Sequence, residues 1–486
     1  MTQGFDLADL ALAGPETIVT ITGLVVLFLD FLLPGKRREW LGAISIGGLL
    51  IALGLVICQL QEPGRMVIFG GLHAVDQFAG FFKLIFLVSA AIVILLSMRF
   101  LQDEELPAGE FYAILLFATL GTMLMASAVD LLSLFVGIET MSVCTYVLCG
   151  FLKRDQRCNE GALKYLLMGA FAAGIILYGM VLLYGFAGGT SFEAIAKAVA
   201  AKDLRNPALI MGMVLLAAGF GFKIAAVPFH MYLPDMYEGA PTPVVAFMAG
   251  AAELAGVAVL VRTFLVALPG LQIDWSLLFW VLVVLTMTIG NLVAIAQSNL
   301  KRMLAYSTIA HMGYLLIGPV AASHLGVAAV LFYSLVYALM TIGAFGMVLL
   351  LARGSVKGDQ IDDFTGLAQR SPVAAATMFI FLLSLTGIPP TAGFVGKFYL
   401  FAAAVEAGYI WLVLIAVLNS AISLFYYMRV TMAMYMKDVP PAGIALNTSV
   451  ALYLGLFLAA AGTLLLGVYP NFVLELAWAS AAGFAG

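Results

Sequence analysis

FKIAAVPFHMYLPDMYEGAPTPV, residues 222–244, holds Lys223, His230, Asp235 and Glu238 among four prolines in an otherwise apolar part of the chain. A proline inside a helix lacks its N–H donor, and its ring clashes with the carbonyl four residues back. Pro228 therefore predicts an opening at Ile224, directly beside Lys223. At membrane depth, non-helical backbone is tolerated only where it is buried in protein or lines a wet cavity. The stretch reads as a broken helix with a lysine at its break.

The rest of the chain supplies the membrane. Over 486 residues, 63% are apolar and 10% charged, and the mean hydropathy is +1.08. Such a chain cannot present a polar surface to water all round, so it is expected to be integral to the bilayer. The net charge of −4 is thinly spread with no basic run, which excludes nucleic acid as a partner class. Cys58, Cys144, Cys149 and Cys158 form no CxxC pair, which argues against a zinc or iron–sulfur site and against a disulfide framework. No metal and no cofactor are expected in this chain. The start, MTQGFDLADLALAGPE, shows no basic region before its first apolar stretch, so no signal peptide is read there.

Crossing hydrocarbon takes about 20 apolar residues in a helix, against about 10 alternating ones in a barrel strand. The apolar runs have helical lengths, and about fourteen are found, from 15–33 through 447–470. The fold class is all-α and polytopic. FEAIAKAVAAKDL (192–204) reads as a short amphipathic helix in a loop. Lysine and arginine number thirteen in loops after odd spans, including Lys36, Arg37, Arg38, Lys153, Arg154, Arg157, Lys301, Arg302, Arg353 and Lys357. Loops after even spans hold four: Arg65, Lys197, Lys202 and Arg205. Positive loops stay inside, so both termini are expected on the outer side.

A charge at the bilayer centre costs at least about 3 kcal/mol and defaults to a functional reading. Lys83, Arg262 and Arg429 sit about two turns from helix ends and are expected to snorkel to the interface. Lys164, Lys223, Lys397, Glu139, Glu253 and His311 fall deeper and are the candidate site. SLTGIPPTAGFVGKFYLF (384–401) repeats the opening pattern: Pro389 and Pro390 free the carbonyls of Leu385 and Thr386, and Lys397 follows. The two broken helices, near 206–238 and 372–404, are the seventh and twelfth spans. Five is odd, so spans four to eight (110–267) and nine to thirteen (268–436) are expected to be inverted repeats. A three-helix segment (1–109) precedes them and a C-terminal helix (437–486) follows.

The stretches ETMSVCTYVL (139–148), EGALKYLLMGAF (160–171), NLKRMLAYSTIAHMGY (299–314) and SLTGIPPTAGFVGKF, with the opening one, resemble the antiporter-like membrane subunits of respiratory complex I. YEGAPTP is closer to one of the smaller members than to its larger sisters or to the multisubunit sodium/proton antiporters. The resemblance implies a proton path through Glu139, Lys164, Lys223, His230 and Lys397. At the eighth span, where the family has a lysine, AAELAGVAVLVR places Glu253. It further implies partner subunits that carry NADH, flavin, iron–sulfur clusters and quinone, and a bacterial inner membrane. Two rivals stay open: a cation/proton antiporter using the same lysines, and a membrane scaffold with no transport role.

Overall fold

The computed structural model describes residues 7–32, 40–62, 64–201, 204–352, 358–439, 446, 447 and 449–484. Lys36, Arg37, Arg38, Lys202, Arg353 and Lys357, counted above for orientation, lie outside them. In chain order the spans are α1 (Gly14–Leu32), α2 (Trp40–Gln61), α3 (Gln77–Asp103), α4 (Ala108–Ser127), α5 (Leu131–Cys149) and α6 (Gln156–Ala187). The broken α7 follows, as α7a (Pro207–Lys223) and α7b (Tyr232–Gly239). Next come α8 (Thr242–Ala267), α9 (Pro269–Ala294), α10 (Leu300–Ala321) and α11 (His324–Leu351). The second broken span is α12a (Pro372–Thr386) and α12b (Ala392–Glu406), before α13 (Ile410–Met436) and α14 (Val450–Val468). Twelve helices are thus long and apolar enough to cross a membrane among the described residues, and α7 and α12 complete the set in pieces. A further helix, Asn471–Ala481, follows α14, so the C-terminal segment holds two helices rather than one.

Polar side chains start the spans where the sequence supplies them. Asp76, Asp130, Asp155, Asn299, Ser323 and Ser449 each accept a backbone N–H of the following first turn. The 192–204 stretch forms a helix over Phe192–Ala201 as expected. A feature not anticipated is the hairpin of β1 (Met66–Ile68) and β2 (His73–Val75), which bridges through His73 to Ala128.

Hydrophobicity alone does not hold helices together in lipid; small residues that let backbones approach do. Two helix pairs show this in the same way. A Cβ on Gly121 of α4 would lie 2.4 Å from the Met141 nitrogen of α5, and one on Gly137 of α5 would lie 2.9 Å from the Met125 nitrogen. Five spans later, Gly290 of α9 and Gly313 of α10 face the Ala310 and Met287 nitrogens at 2.8 and 2.9 Å. The first two spans of each expected repeat therefore pack through paired glycines. α8 and α11 are buried along their length and form the centre, with the broken helices against them.

Candidate functional site

The two breaks fall where the prolines require. α7a ends on Lys223 itself, and residues 224–231 are non-helical. Tyr232 donates to the Phe222 carbonyl at 3.1 Å, and Thr286 of α9 accepts the Val227 N–H at 3.0 Å. Thr286 thereby satisfies an N–H that the break leaves without a helical mate, and Tyr232 adds a second donor to a carbonyl that already accepts from the Ala225 N–H. α12a ends at Thr386, with Gly387 in the left-handed region (φ 87°) as its cap. A side chain at Gly387 would also collide with Lys397, whose Cδ would lie 2.9 Å from the new Cβ.

Lys397 occupies that gap. Its Nζ donates to the Leu385 carbonyl (3.1 Å), the Thr386 carbonyl (2.9 Å) and Ser420 Oγ (2.9 Å). It also sits 4.5 Å over the ring of Tyr314. The carbonyls it binds are the two that Pro389 and Pro390 deprive of helical donors. Lys223 is held more sparsely, its Nζ donating to Ser142 Oγ of α5 at 2.7 Å. Both lysines are buried, and among the described residues neither has a carboxylate within ion-pair distance.

Glu253 follows a π-turn over Met248–Ala252 in α8, a local widening that is frequent at functional sites. The residue is 1% exposed; Oε1 accepts the Tyr237 hydroxyl at 2.6 Å, and Oε2 has no partner. One turn on, Gly256 lets α8 lie against the Lys223 backbone. His311 of α10 bonds through Nδ1 to the Tyr333 hydroxyl (2.6 Å) and through Nε2 to that of Tyr427 (3.2 Å). Tyr427 in turn meets Ser307, and Tyr337 donates to Thr308 at 2.8 Å. Glu139 is half-buried on α5, with Oε1 buried and without a partner.

Not all candidates converge. Lys164 is 43% exposed and pairs with Glu160 and Asp235, both at 2.7 Å, rather than with Glu139 or Lys223. Asp235 also takes Arg302 at 2.6 Å, so the acids of YLPDMYEG tie α7b to α6 and α10. His230 lies within the break, and the side-chain bond that Lys223 makes is to Ser142 rather than to His230. Two of the snorkelling readings are corrected. Lys83 is 1% exposed and pairs with Glu16 at 2.6 Å, and Arg262 is 2% exposed and grips both Asp76 oxygens at 2.7 Å. Arg429 donates to the carbonyls of Ile295 and Gln297. Lys83 and Arg262 are thus neutralised in buried ion pairs, whereas half-buried Arg429 reaches the loop end of α9 as a snorkelling side chain would.

Residue patterns alone did not single out Ser142, Ser420, Tyr237, Tyr333 or Tyr427. Hydroxyls are cheap to bury once paired and so leave little mark in hydropathy. The one available signal was helical spacing, since Ser142 stands three residues from Glu139.

Comparison with known proteins agrees with this architecture. Residues 128–423 match the family described as NADH:quinone oxidoreductase/Mrp antiporter, TM. A relative from Trichlorobacter lovleyi, named NADH-quinone oxidoreductase subunit N, is 44% identical and is aligned over 98% of each chain. A chain of respiratory complex I from Thermus thermophilus superposes with a TM-score of 0.79 at 32% identity, covering 95% of this chain and 98% of that one. A chain of the Mrp complex from Dietzia sp. shares the fold, with a TM-score of 0.83 at 20% identity and 97% of each chain covered. With buried lysines at two proline breaks and a family match running from α5 into α13, the chain belongs to the NADH:quinone oxidoreductase/Mrp antiporter membrane family.

Proposed function

We propose that this chain is a proton-translocating membrane-arm subunit of a bacterial NADH–quinone oxidoreductase, driven by redox chemistry in partner subunits that hold the NADH, flavin, iron–sulfur and quinone sites. The observation that carries the reading is the environment of Lys397: a buried ammonium held only by two proline-freed carbonyls, a serine and a ring face. A structural lysine at this depth would take a carboxylate, as Lys83 does. Burial disfavours the charged form and a nearby carboxylate favours it. A lysine facing dipoles alone can therefore exchange its proton when its surroundings shift slightly.

The path reads along the centre of the molecule, through Glu139, Lys223, Glu253, His311 and Lys397, within the two five-span units 110–267 and 268–436. Tyr237, Tyr333 and Tyr427 supply hydroxyls between the titratable groups, and water at the breaks completes it. Lys164 and His230 belong to its flank, where Lys164 orients α7b through Asp235. Each proton moved outward works against about 2.3 kcal/mol per 100 mV, which this chain has no fuel to supply. Its membrane is the inner one, with both termini on the outer side. No group of three or more metal-ligating side chains gathers among the described residues.

The test uses the intact complex. Lys223→Ala and Glu139→Ala each impair proton pumping while assembly stays close to normal. Parent-like pumping in assembled mutant complexes overturns the reading. Transport by the chain without redox partners, in proteoliposomes, would favour the antiporter alternative.

A further inference from the structure

Glu139, Ser142 and Tyr146 stand at i, i+3 and i+7 on α5 and so share one face of that helix. Ser142 in the middle accepts from Lys223 and donates its own proton to the Ile138 carbonyl. On either side, Glu139 Oε1 and the Tyr146 hydroxyl are each buried without a protein partner. Buried polar groups are almost always satisfied, so two orphans flanking one lysine call for water or a moving proton.

Tyr146 has a second neighbour. It lines a cleft of about 1420 Å³ that also carries Lys153, Arg154, Arg157 and Lys301, on the side of the positive loops. Its ring is fixed edge-on by Tyr165 at 4.6 Å between centroids. From α6, Gly169 makes room for the hydroxyl: a Cβ there would sit 2.0 Å from the tyrosine oxygen. A glycine opposite the hydroxyl is costly to explain as packing, because a ring without the oxygen would fit equally well.

We propose that Tyr146 gates Lys223 from the side of the positively charged loops, its hydroxyl relaying protons between the charged cleft and the Ser142–Lys223 contact. The oxygen accepts a proton from water on the cleft side as it gives its own toward Ser142, so one O–H bond forms as another breaks and the hydroxyl stays neutral. Tyr146 stands one helical turn from Ser142 on the same face of α5, a spacing at which the two side chains are neighbours. The inference rests on the proton-path reading above and adds the residue through which Lys223 exchanges protons with the cleft.

Tyr146→Phe in the intact complex removes the oxygen and keeps the ring against Tyr165. In inverted membrane vesicles, whose bath then faces the cleft, proton uptake falls about tenfold or more, and the H2O/D2O rate ratio rises above the parent's. A packing role moves neither the isotope ratio nor uptake in an assembled complex. Parent-like uptake with Tyr146→Phe, while Lys223→Ala is inactive, overturns the gate and leaves the proton path standing. Parent-like uptake in both variants overturns the path itself. Should Tyr146→Phe not assemble, Gly169→Ala reads the same hydroxyl by filling its space. Reduced uptake then supports the gate, and unchanged uptake overturns it.

Discussion

Replacing Lys397 and Lys83 separately by methionine separates a lysine that works from one that holds the fold. Lys397 makes three hydrogen bonds to neutral acceptors. Bonds from a charged donor contribute about 1.5–3 kcal/mol each, so roughly 4–9 kcal/mol is lost with the ammonium. Against this, methionine avoids the desolvation of a buried charge, itself several kcal/mol, and its chain still fills the space beside Gly387. Swapping a buried ionic group for an apolar side chain of similar volume is often close to neutral, so a net change of about 2 kcal/mol or less is expected, with Ser420 still donating to the Thr386 carbonyl at 3.1 Å. No opposite charge is left stranded. Lys83→Met differs because Glu16, 5% exposed, keeps its carboxylate with only His73 at 3.3 Å. Breaking a buried pair on one side costs about 3–5 kcal/mol. Lys397→Met is therefore expected to assemble and lose pumping, and Lys83→Met to lose assembly. Native gels of detergent-extracted complex and dye quenching in inverted vesicles read the two outcomes. An assembled Lys397→Met complex that pumps like the parent would refute the argument, as would the reverse order of assembly defects.

Three further outcomes are expected. Glu253→Gln lowers pumping, and Glu253→Lys is better tolerated because an amine restores a protonatable group beside Tyr237; a glutamine variant that pumps normally makes Glu253 a bystander. Pro390→Leu restores an N–H for the Thr386 carbonyl, which Lys397 now binds at 2.9 Å, so pumping is expected to fall without loss of any charge, measured as uptake rate in assembled complex. Burial pushes the His73 imidazole below its ordinary value, with Lys83 and Arg262 adding to the shift and Glu16 opposing it. The unfolded segment then binds more protons than the folded one below about pH 6.5, so stability of the 66–75 hairpin is lost as pH falls through that range. Protection factors across the hairpin, corrected for the intrinsic pH dependence of amide exchange, are expected to be lower at acid pH, and equal protection at both pH values would contradict it.

The membrane, the helical class, the two breaks and the lysines beside them are legible in the residue order alone. These follow from strictly local physics: apolar run length sets a span, and a proline removes a bond four residues back whatever surrounds it. The capture of the Leu385 and Thr386 carbonyls was legible in this way, because the prolines name the carbonyls and the lysine lies within reach along the same chain. What each charge meets across helices was decided only by tertiary structure. Lys83, Arg262 and Lys164 all lie in apolar surroundings in sequence, yet their partners Glu16, Asp76 and Asp235 lie 67, 186 and 71 residues away. Nothing in composition encodes such pairings, since they depend on which helix faces pack. The same holds for the hydroxyls of Tyr146, Tyr237, Tyr333 and Tyr427, which on sequence read as ordinary aromatic residues of a core. Those of Tyr237, Tyr333 and Tyr427 become polar partners only when α7b, α11 and α13 turn them toward Glu253 and His311, and that of Tyr146 gains its meaning only where α5 meets Lys223.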